Sequence, residues 1–475
     1  MKKVFLLLGA SVVVALLIAS LSGNVLTTSR APMVFASRLA GMGGPGNSGI
    51  QIQNLHPTDG ATIVAELYPQ GGGAPISLSR TAVGGGSANI YLPSESGVPE
   101  GAYAAIISAN TPIAAIARTE WADEKGAATY SNVDPATAIL IPLAVEDFAN
   151  QFSQFSIQNT DTSESTTITV KVFARGQSDP VVEFTDSVLA GTSKTYDLSD
   201  SGQFPDLPTD TWPGIPGFVG SITVDADNPI VVQSFVDFGG GSKAVYAFSG
   251  IDKDAAATKL LAPLARRAFA GATTGISLVN PNPTEVTVDI DYIHNPASQD
   301  QNDYEETLTI EANSSEVAYQ GAGPMPAGWL GSAVIEATGP IVAMVNDATS
   351  TTSAAYNAPS EADGAMTVSV PLVRNKQVSA YEFTTGVQVM NIGSDPADIA
   401  ITYRDSAGNP YGPETATAVA GNQSYTFYQP SGPFPVGAYG SATVTSNQPI
   451  VVIVNDISLK GLLDAAIYNG IQVPE

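Results

Sequence analysis

Carboxylates at the ends of predicted strands are the residues whose type and spacing come nearest to a functional site in this chain. Five of them are candidate ligands: Asp225, Asp227, Asp237, Asp347 and Asp456. Hard oxygen ligands gathered at strand ends can hold Ca²⁺ between domains. The same acids can instead accept hydrogen bonds from the backbone amides of the next turn. The sequence leaves both interpretations open, and it predicts no cofactor other than calcium.

Catalytic chemistry has few residues to begin from. The chain contains two histidines, His56 and His294, at non-equivalent places, and it contains no cysteine. It has no Gly-x-Ser-x-Gly elbow, no P-loop and no His-Glu-x-x-His, which are the signatures of nucleophilic, phosphate and zinc chemistry. We therefore expect both histidines in surface turns, and we predict that the protein is not an enzyme.

Asparagine, a Pro-Ile pair and tyrosine recur in the same order along four segments of the chain. The asparagines are Asn54, Asn159, Asn280 and Asn391; the pairs begin at Pro112, Pro229, Pro340 and Pro449; the tyrosines are Tyr130, Tyr246, Tyr356 and Tyr468. Successive asparagines are 105, 121 and 111 residues apart. Solenoid and propeller repeats run about 20–50 residues, whereas a domain has about 100 or more. The period therefore predicts four domains, and asparagine before a Pro, Thr, Asp or Gly turn is ordinary turn chemistry.

The N-terminus has the composition of a secretory signal. Met1-Lys2-Lys3 precedes an apolar run that extends to Leu21, and small polar residues follow. We predict a signal peptide over residues 1–23, with an uncleaved membrane anchor as the alternative because the run is about 18 residues long. Pro32 matches the prolines that open later units, so cleavage after Ala36 would remove part of the first domain. The predicted domains cover residues 31–134, 136–254, 256–364 and 366–475.

Each unit contains seven or eight short alternating segments separated by turns. In the fourth unit, residues 398–403 alternate apolar and polar, as in a half-buried strand. Turns every 8–12 residues and no helix-period stretch indicate an antiparallel β-sandwich of immunoglobulin-like size. The linkers between units are short, so we predict an all-β, semi-rigid rod of four tandem immunoglobulin-like domains, on the order of 150 Å long.

The Pro-Ile segments are apolar on both faces. In residues 112–117, 340–345 and 449–454 the alternation expected of a strand with one wet face is missing. Two explanations remain open. Loops of the same domain cover the second face, which is the favoured explanation, or that face docks on another subunit.

This plan resembles the tandem immunoglobulin-like or fibronectin-like β-sandwich repeat proteins of bacterial cell surfaces. The resemblance covers residues 32–475 as a pattern, and the antibody Cys…Trp…Cys signature is absent. It implies an extracellular or cell-surface structural or adhesive protein, such as a subunit of a filament, sheath or surface layer. Its partners would then be copies of itself or components of the cell envelope or extracellular matrix.

Net charge narrows the partners further. The chain has 19 Lys+Arg against 45 Asp+Glu, a formal charge of −26, and nucleic-acid binding needs the opposite sign. Contact with a membrane is expected only through an uncleaved N-terminal segment. The alternative function is an extracellular carbohydrate- or protein-binding module. Sugar binding through repeated tryptophans is disfavoured because Trp121, Trp212 and Trp329 occupy non-equivalent positions.

Overall fold

The computed structural model describes residues 31–35, 46–121, 126–205, 207–210, 214–238, 245–378, 381–460 and 465–473. The predicted leader, residues 1–23, lies outside them. The described chain is all-β, as predicted, with four short 3₁₀ helices at Leu92–Ser94, Lys253–Ala255, Glu361–Asp363 and Gln429–Ser431. Among the described residues, no helix is long and apolar enough to cross a membrane.

The first unit shows the plan of all four. Its strands form one sheet in the order β1-β6-β3-β4 and a second in the order β5-β2-β7-β8, and side chains from both sheets share one core. The strands are β1 (Ala31–Phe35), β2 (Gly46–Asn54), β3 (Ala61–Pro69), β4 (Ile76–Ala82), β5 (Ser87–Tyr91), β6 (Tyr103–Ala109), β7 (Ile113–Trp121) and β8 (Ala127–Ser131). Because β1 pairs with β6 along its whole length, cleavage after Ala36 would remove a strand of this sheet.

The other units repeat this pairing, and no described sheet takes strands from two units. Unit 2 contains β9 (Ala136–Glu146), β10 (Gln151–Asn159), β11 (Thr166–Ala174), β12 (Pro180–Val188), β13 (Ser193–Asp197), β14 (Phe218–Phe238), β15 (Val245–Ser249) and β16 (Ile251–Asp252). Unit 3 contains β17 (Ala257–Arg267), β18 (Thr273–Asn280), β19 (Val286–His294), β20 (Tyr304–Ile310), β21 (Ser314–Tyr319), β22 (Trp329–Ala348) and β23 (Ser353–Asn357). Unit 4 contains β24 (Ala365–Arg374), β25 (Phe383–Asn391), β26 (Ala397–Asp405), β27 (Pro410–Val419), β28 (Ser424–Tyr428), β29 (Tyr439–Ser458), β30 (Ala465–Asn469) and β31 (Ile471–Gln472).

One long strand joins the two sheets in units 2, 3 and 4. In unit 4 the sequence predicts two strands, over residues 440–445 and 449–454, but the structure has a single strand, β29. Its first half pairs with β24 and β26, and its second half pairs with β25 and β30. Pro449 lies at the crossing between the sheets, where a missing backbone N–H costs no ladder hydrogen bond.

Glycines near the start of each long strand allow close approach to the neighbouring strand. A Cβ on Gly220, Gly331 or Gly440 would lie 1.9, 2.1 or 1.9 Å from a backbone oxygen of that strand. The strand that pairs with the other edge of the long strand has a register shift beside the glycine. In unit 3 this strand is β17, and the shift lies between Ala262 and Ala265. The glycines at these positions therefore accompany a bulge in the strand pairing.

The units pack against each other through their sheet faces and not end to end. The first strand of each unit contacts the second sheet of the next: β1 contacts β10 and β14, β9 contacts β18 and β22, and β17 contacts β25 and β29. The series then closes, because β24 of unit 4 contacts β2 and β7 of unit 1. All four interfaces are thus of one head-to-tail kind, which forms a ring when the rotation closes.

Four strands, which we call the axial strands, lie where the units meet. Each axial strand contacts the next around the ring: β8 contacts β15, β15 contacts β23, β23 contacts β30, and β30 contacts β8. An extended rod would hold units 1 and 4 far apart, so the predicted rod is wrong. The sequence argument fails because a short linker restricts the angle between two units without fixing it.

The ring also explains the two apolar faces of the Pro-Ile strands. Side chains of each second sheet enter the core of the preceding unit. Among them, Phe235 enters the core of unit 1, Met344 that of unit 2, Ile453 that of unit 3 and Ile116 that of unit 4. Burial of such a side chain contributes about 1.5–3 kcal/mol. A neighbouring unit of the same chain therefore covers the second face of these strands. Neither of the two explanations from the sequence, loops of the same domain or a second subunit, accounts for this cover.

Candidate functional site

A polar layer crosses the ring axis at the ends of the axial strands. Ser131, Ser249, Asn357 and Asn469 occupy equivalent positions, opposite Ile116, Gln233, Met344 and Ile453 of the adjacent strands. The Asn357 side chain donates from Nδ2 to the Ser249 carbonyl oxygen at 2.8 Å, and Asn469 donates likewise to the Asn357 carbonyl at 2.8 Å. Ser249 Oγ lies 3.5 Å from the Ser131 carbonyl oxygen. Units 2, 3 and 4 thus each form a hydrogen bond with the preceding unit in this layer.

A cavity of about 420 Å³ lies over this layer. The chain segments that follow the four axial strands enclose it, and side chains of units 3 and 4 supply most of its apolar wall. The polar lining comprises Ser131, Asn132, Asp134, Asp252, Asn357, Ser360, Asp363, Asn469 and Gln472. The apolar lining includes Ile251, Leu260, Val342, Val368, Val451, Val452 and Ile471. Sites for small ligands have about this volume and combine apolar walls with a few polar groups.

The cavity has a negative rim. Asp134, Asp252 and Asp363 reach it from the segments that end units 1, 2 and 3, and none of the described lining residues is Lys, Arg or His. Asp252 and Asp363 also accept hydrogen bonds in turns, from the backbone N–H of Asp254 and Ser360. A cavity lined with charge of one sign concentrates ions of the opposite sign.

The contact that closes the ring is a buried ionic cluster. Arg118 of unit 1 donates from Nη1 to Asp456 Oδ2 of unit 4 at 3.1 Å and from Nε to Glu120 Oε1 at 2.8 Å. Arg374 donates from Nε to Asp456 Oδ1 at 3.0 Å, and its Nη2 donates to Oδ2 of the same carboxylate. Arg118 and Arg374 lie 5.4 and 4.2 Å from the centroid of the Phe383 ring. Asp456 is fully buried.

The cluster also controls the ionisation of Glu120. Burial alone would raise the pKa of this carboxyl, but the Arg118 and Arg374 guanidinium groups outweigh burial and lower the pKa below its ordinary value. The carboxylate form is therefore favoured in the closed ring.

The five predicted calcium ligands do not come together. Asp225 and Asp227 are exposed on the crossing of β14, and Asp237 is buried near the end of that strand. Asp347 binds Arg266, and Asp456 binds two arginines. Within the described residues no group of three or more His, Cys, Asp or Glu could hold a metal ion. Guanidinium groups already bind the oxygens of Asp347 and Asp456, so the calcium hypothesis gains no support at these two positions.

Arg266 and Arg374, which the sequence analysis missed, are the partners of these strand-end acids. Each lies three residues after the opening proline of its unit, Pro263 or Pro371. Unit 2 has Val145 at this position. An arginine at a fixed offset from a repeated proline is a signal that could have identified the pairs.

The repeated asparagines have a structural role in turns, as predicted. All four are fully buried. Asn391 donates from Nδ2 to the carbonyls of Asp395 at 2.8 Å and Val419 at 2.9 Å, and its Oδ1 accepts from the Gly393 N–H at 2.9 Å. Equivalent bonds occur at Asn54, Asn159 and Asn280. This side chain thus joins the turn after its strand to the end of another strand.

The repeated tyrosines are also buried, but one of them is misaligned in the sequence repeat. Tyr356 and Tyr468 donate to the carbonyls of Leu264 and Leu372, at 2.8 and 2.5 Å, next to the opening proline. In unit 2 the equivalent position holds Phe248, opposite Ser234, and not Tyr246. Spacing from the Pro-Ile pair could not separate two aromatic residues that lie two positions apart.

The histidines and the tryptophans form no common site among the described residues. His56 Nδ1 accepts the Asp59 N–H at 2.8 Å, and His294 Nδ1 lies 2.7 Å from Asp303 Oδ1. His56 lies in a bend at the surface, as predicted, whereas His294 is the last residue of β19 and does not lie in a turn. Trp121 and Trp329 are buried, and Trp212 lies outside the described residues.

Exposed tyrosines mark three of the four units. Tyr91, Tyr319 and Tyr428 lie opposite Gly49, Gly275 and Gly386 of the neighbouring strand, and each ring would lie 3.7–3.9 Å from a Cβ on that glycine. The tyrosines are 40–43% exposed. An aromatic ring over a glycine stabilises strand pairing, so these positions have a structural explanation.

No family model matches the chain, and no curated protein matches it. Among solved structures, a Thermotoga maritima protein described as 1070 is 17% identical, covering 26% of this chain and 97% of its own, with a TM-score of 0.20. The Anabaena sensory rhodopsin transducer is 22% identical and covers 19% of this chain and 92% of its own, with a TM-score of 0.16. A tetra-tandem repeat in the extending region of a large adhesion protein is 13% identical, and the match covers 94% of this chain and 99% of that one, with a TM-score of 0.10. TM-scores this low carry no argument, and no family is identified.

Proposed function

We propose that the chain is a secreted or cell-surface, non-enzymatic structural or adhesive protein, built as a closed ring of four immunoglobulin-like domains. The supporting observation is the use of its repeated polar residues. The asparagines join turns to strands, and the strand-end acids of units 3 and 4 bind arginines. Side chains repeated in this way stabilise the architecture of each unit, which supports a structural role for the repeats.

The outer edges of the sheets suit such a protein. The edge strands β12, β20 and β27 carry exposed or half-exposed acids, among them Glu183, Asp186, Glu305 and Glu414. Charged side chains on edge strands prevent uncontrolled pairing with other sheets. The proposed ring therefore offers a stable, acidic surface for specific contacts with the cell envelope or extracellular matrix.

The proposal is tested on the native material. Cell fractions from the source organism are probed with an antibody against the chain, and the N-terminus of the recovered protein is determined by mass spectrometry. We expect an extracellular or envelope-associated protein that begins shortly after residue 23, and loss of surface integrity or attachment when the gene is deleted. A cytosolic protein that retains Met1 would contradict the proposal. Turnover of a polysaccharide or peptide that one carboxylate substitution abolishes would contradict its non-enzymatic part.

An extracellular binding module is the second candidate function. The observation that favours it is the axial cavity, whose volume and mixed lining suit a small ligand or a protruding side chain. The two functions are compatible, since a structural ring can hold its partner through one axial site.

A further inference from the structure

We propose that the axial cavity binds a primary alkylammonium group, carried by a free polyamine or by a lysine side chain of a partner protein. The inference rests on the proposed function, since all four units must form a closed ring to enclose the cavity. Three features of the lining carry it: the charge at the rim, the unsatisfied acceptor of the floor and the apolar wall.

The charge at the rim selects for a cation. Asp134, Asp252 and Asp363 approach the cavity from three different units. None of the described lining residues is Lys, Arg or His, and Lys259 is already paired, since its Nζ lies 2.7 Å from Glu361 Oε1 and 3.7 Å from Glu336 Oε1. The rim therefore keeps an uncompensated negative charge, which attracts cations and repels anionic ligands.

The floor of the cavity includes one unsatisfied hydrogen-bond acceptor, on the Asn357 side chain. Asn357 forms hydrogen bonds with two neighbouring units. Its side-chain Nδ2 donates to the Ser249 carbonyl of unit 2, and its backbone carbonyl accepts from Asn469 Nδ2 of unit 4. Its Oδ1 is buried and accepts no hydrogen bond from the described residues. An unsatisfied buried acceptor is unfavourable. An ammonium group has three donors and no acceptor, which makes it complementary to this floor and to the carboxylates above it.

The wall of the cavity selects for an alkyl chain behind the charge. Leu260, Val342, Val368 and Val451 line the cavity from units 3 and 4. Lysine and polyamines both place a short methylene chain next to the ammonium group, and such chains pack along apolar surface while the charged end remains hydrogen-bonded. A planar guanidinium group lacks this compact, rotatable set of donors.

The experiment is isothermal titration calorimetry on the full chain with cadaverine and with Nα-acetyl-lysine methylamide, which keeps its side-chain ammonium group. Pentanediol, which has a similar chain length without charge, is the control ligand. The test variant is Asp134→Asn, because the Asp134 carboxylate makes no hydrogen bond or ion pair within the described residues. Asp179→Asn is the matched control, since Asp179 is exposed on a turn away from the cavity. Small-angle X-ray scattering on each sample reports whether the ring remains compact.

We expect both amines to bind more tightly than pentanediol, with an affinity that falls as salt is added. Asp134→Asn should weaken binding about fivefold, as loss of one nearby charge in a wet site implies, and Asp179→Asn should leave it unchanged. Binding of cadaverine alone would identify a free polyamine as the ligand, and binding of the lysine derivative alone would identify a partner's side chain.

Three results would overturn the inference while the ring itself stands: no binding of either amine by a compact protein, equal binding of pentanediol, or unchanged affinity in Asp134→Asn. An extended particle in solution would overturn the ring as well, which separates failure of the ligand assignment from failure of the architecture.

Discussion

At the scale of single residues, one asparagine makes the same contacts in all four units. The side-chain amide donates to carbonyl oxygens of two separate segments at each of Asn54, Asn159, Asn280 and Asn391, and its oxygen accepts from the backbone N–H two residues further on. Asparagine suits this place because it carries both two donors and an acceptor. Aspartate lacks the donors, and leucine lacks every polar group.

Substitution of Asn391 by alanine tests this role. The change leaves the carbonyls of Asp395 and Val419 and the N–H of Gly393 without their partner, so we expect a loss of about 2–4 kcal/mol in the free energy of unfolding. Chemical denaturation followed by circular dichroism measures it. Asn409→Ala, at an exposed turn of the same unit, is the control and should change stability by less than about 0.5 kcal/mol. Equal effects of the two substitutions would refute the role of Asn391.

The buried tyrosines predict a loss of stability at high pH. Burial raises the pKa of Tyr130, Tyr246, Tyr356 and Tyr468 above the ordinary value of about 10. A group whose pKa is higher in the folded state stabilises that state fully below the unfolded pKa and loses this contribution as pH rises towards the folded pKa. We therefore expect stability to fall above about pH 10.

Tyrosinate absorbance and circular dichroism, recorded along one alkaline titration, measure this effect. The four buried tyrosines should ionise only together with unfolding, because burial raises their pKa in the folded state. Ionisation of all tyrosines near pH 10 with unchanged circular dichroism would contradict the burial of these hydroxyls.

At the scale of the elements, burial on both faces distinguishes one class of strand. In β26 buried residues alternate with more exposed ones, as the alternation of residues 398–403 predicts. In β7 every residue but Glu120 is buried, because its second face lies against unit 4. Periodicity therefore predicts the strands and identifies the unusual ones. It cannot identify the covering element, because an apolar face matches any other apolar face about equally well.

Replacement of Ile453 by lysine tests the cover of such a strand. Ile453 is fully buried in the core of unit 3, so a lysine there places an unpaired charge between units 3 and 4. We expect a loss on the order of 4 kcal/mol in the free energy of unfolding, while sedimentation still shows a monomer. The control is Val436→Lys, at a 73% exposed position of unit 4. A polymer that dissociates in Ile453→Lys would instead show that a second subunit covers this strand.

A comparison of the two arginine–aspartate pairs distinguishes an effect on the stability of one unit from an effect on closure of the ring. Asp347→Asn removes the partner of Arg266 within unit 3, whereas Asp456→Asn removes the partner of Arg374 and of Arg118 in unit 1. Loss of one partner of a buried ion pair costs about 3–5 kcal/mol. We expect both variants to be destabilised. Hydrogen exchange should rise along β7 and β24 in Asp456→Asn only, and an equal rise there in both variants would contradict a ring-closing role.

At the scale of the whole molecule, the sequence predicts four repeats of one β plan but not their arrangement. The period, the turns and the strand alternation are local properties, and they require no knowledge of what lies beyond a unit. Ring closure depends on Arg118 reaching Asp456, a contact between residues 338 positions apart in the chain. The axial cavity was equally inaccessible to sequence reasoning, because it exists only where segments from all four units converge.

The ring itself is the central claim, and a cross-link between its first and last units tests it most directly. Ser369 Oγ of unit 4 donates to Gln53 Oε1 of unit 1 at 2.6 Å, and the chain contains no cysteine of its own. Because both positions are buried in the ring, the variant Gln53→Cys with Ser369→Cys is treated at high dilution with hydrogen peroxide, an oxidant small enough to reach adjacent thiols and join them as a disulfide, then digested and analysed by mass spectrometry. A ring predicts a peptide pair joined through positions 53 and 369 in the monomeric protein, and no such pair for Gln53→Cys with Asp179→Cys. Monomer in which positions 53 and 369 never become joined, although both thiols react, would contradict the ring.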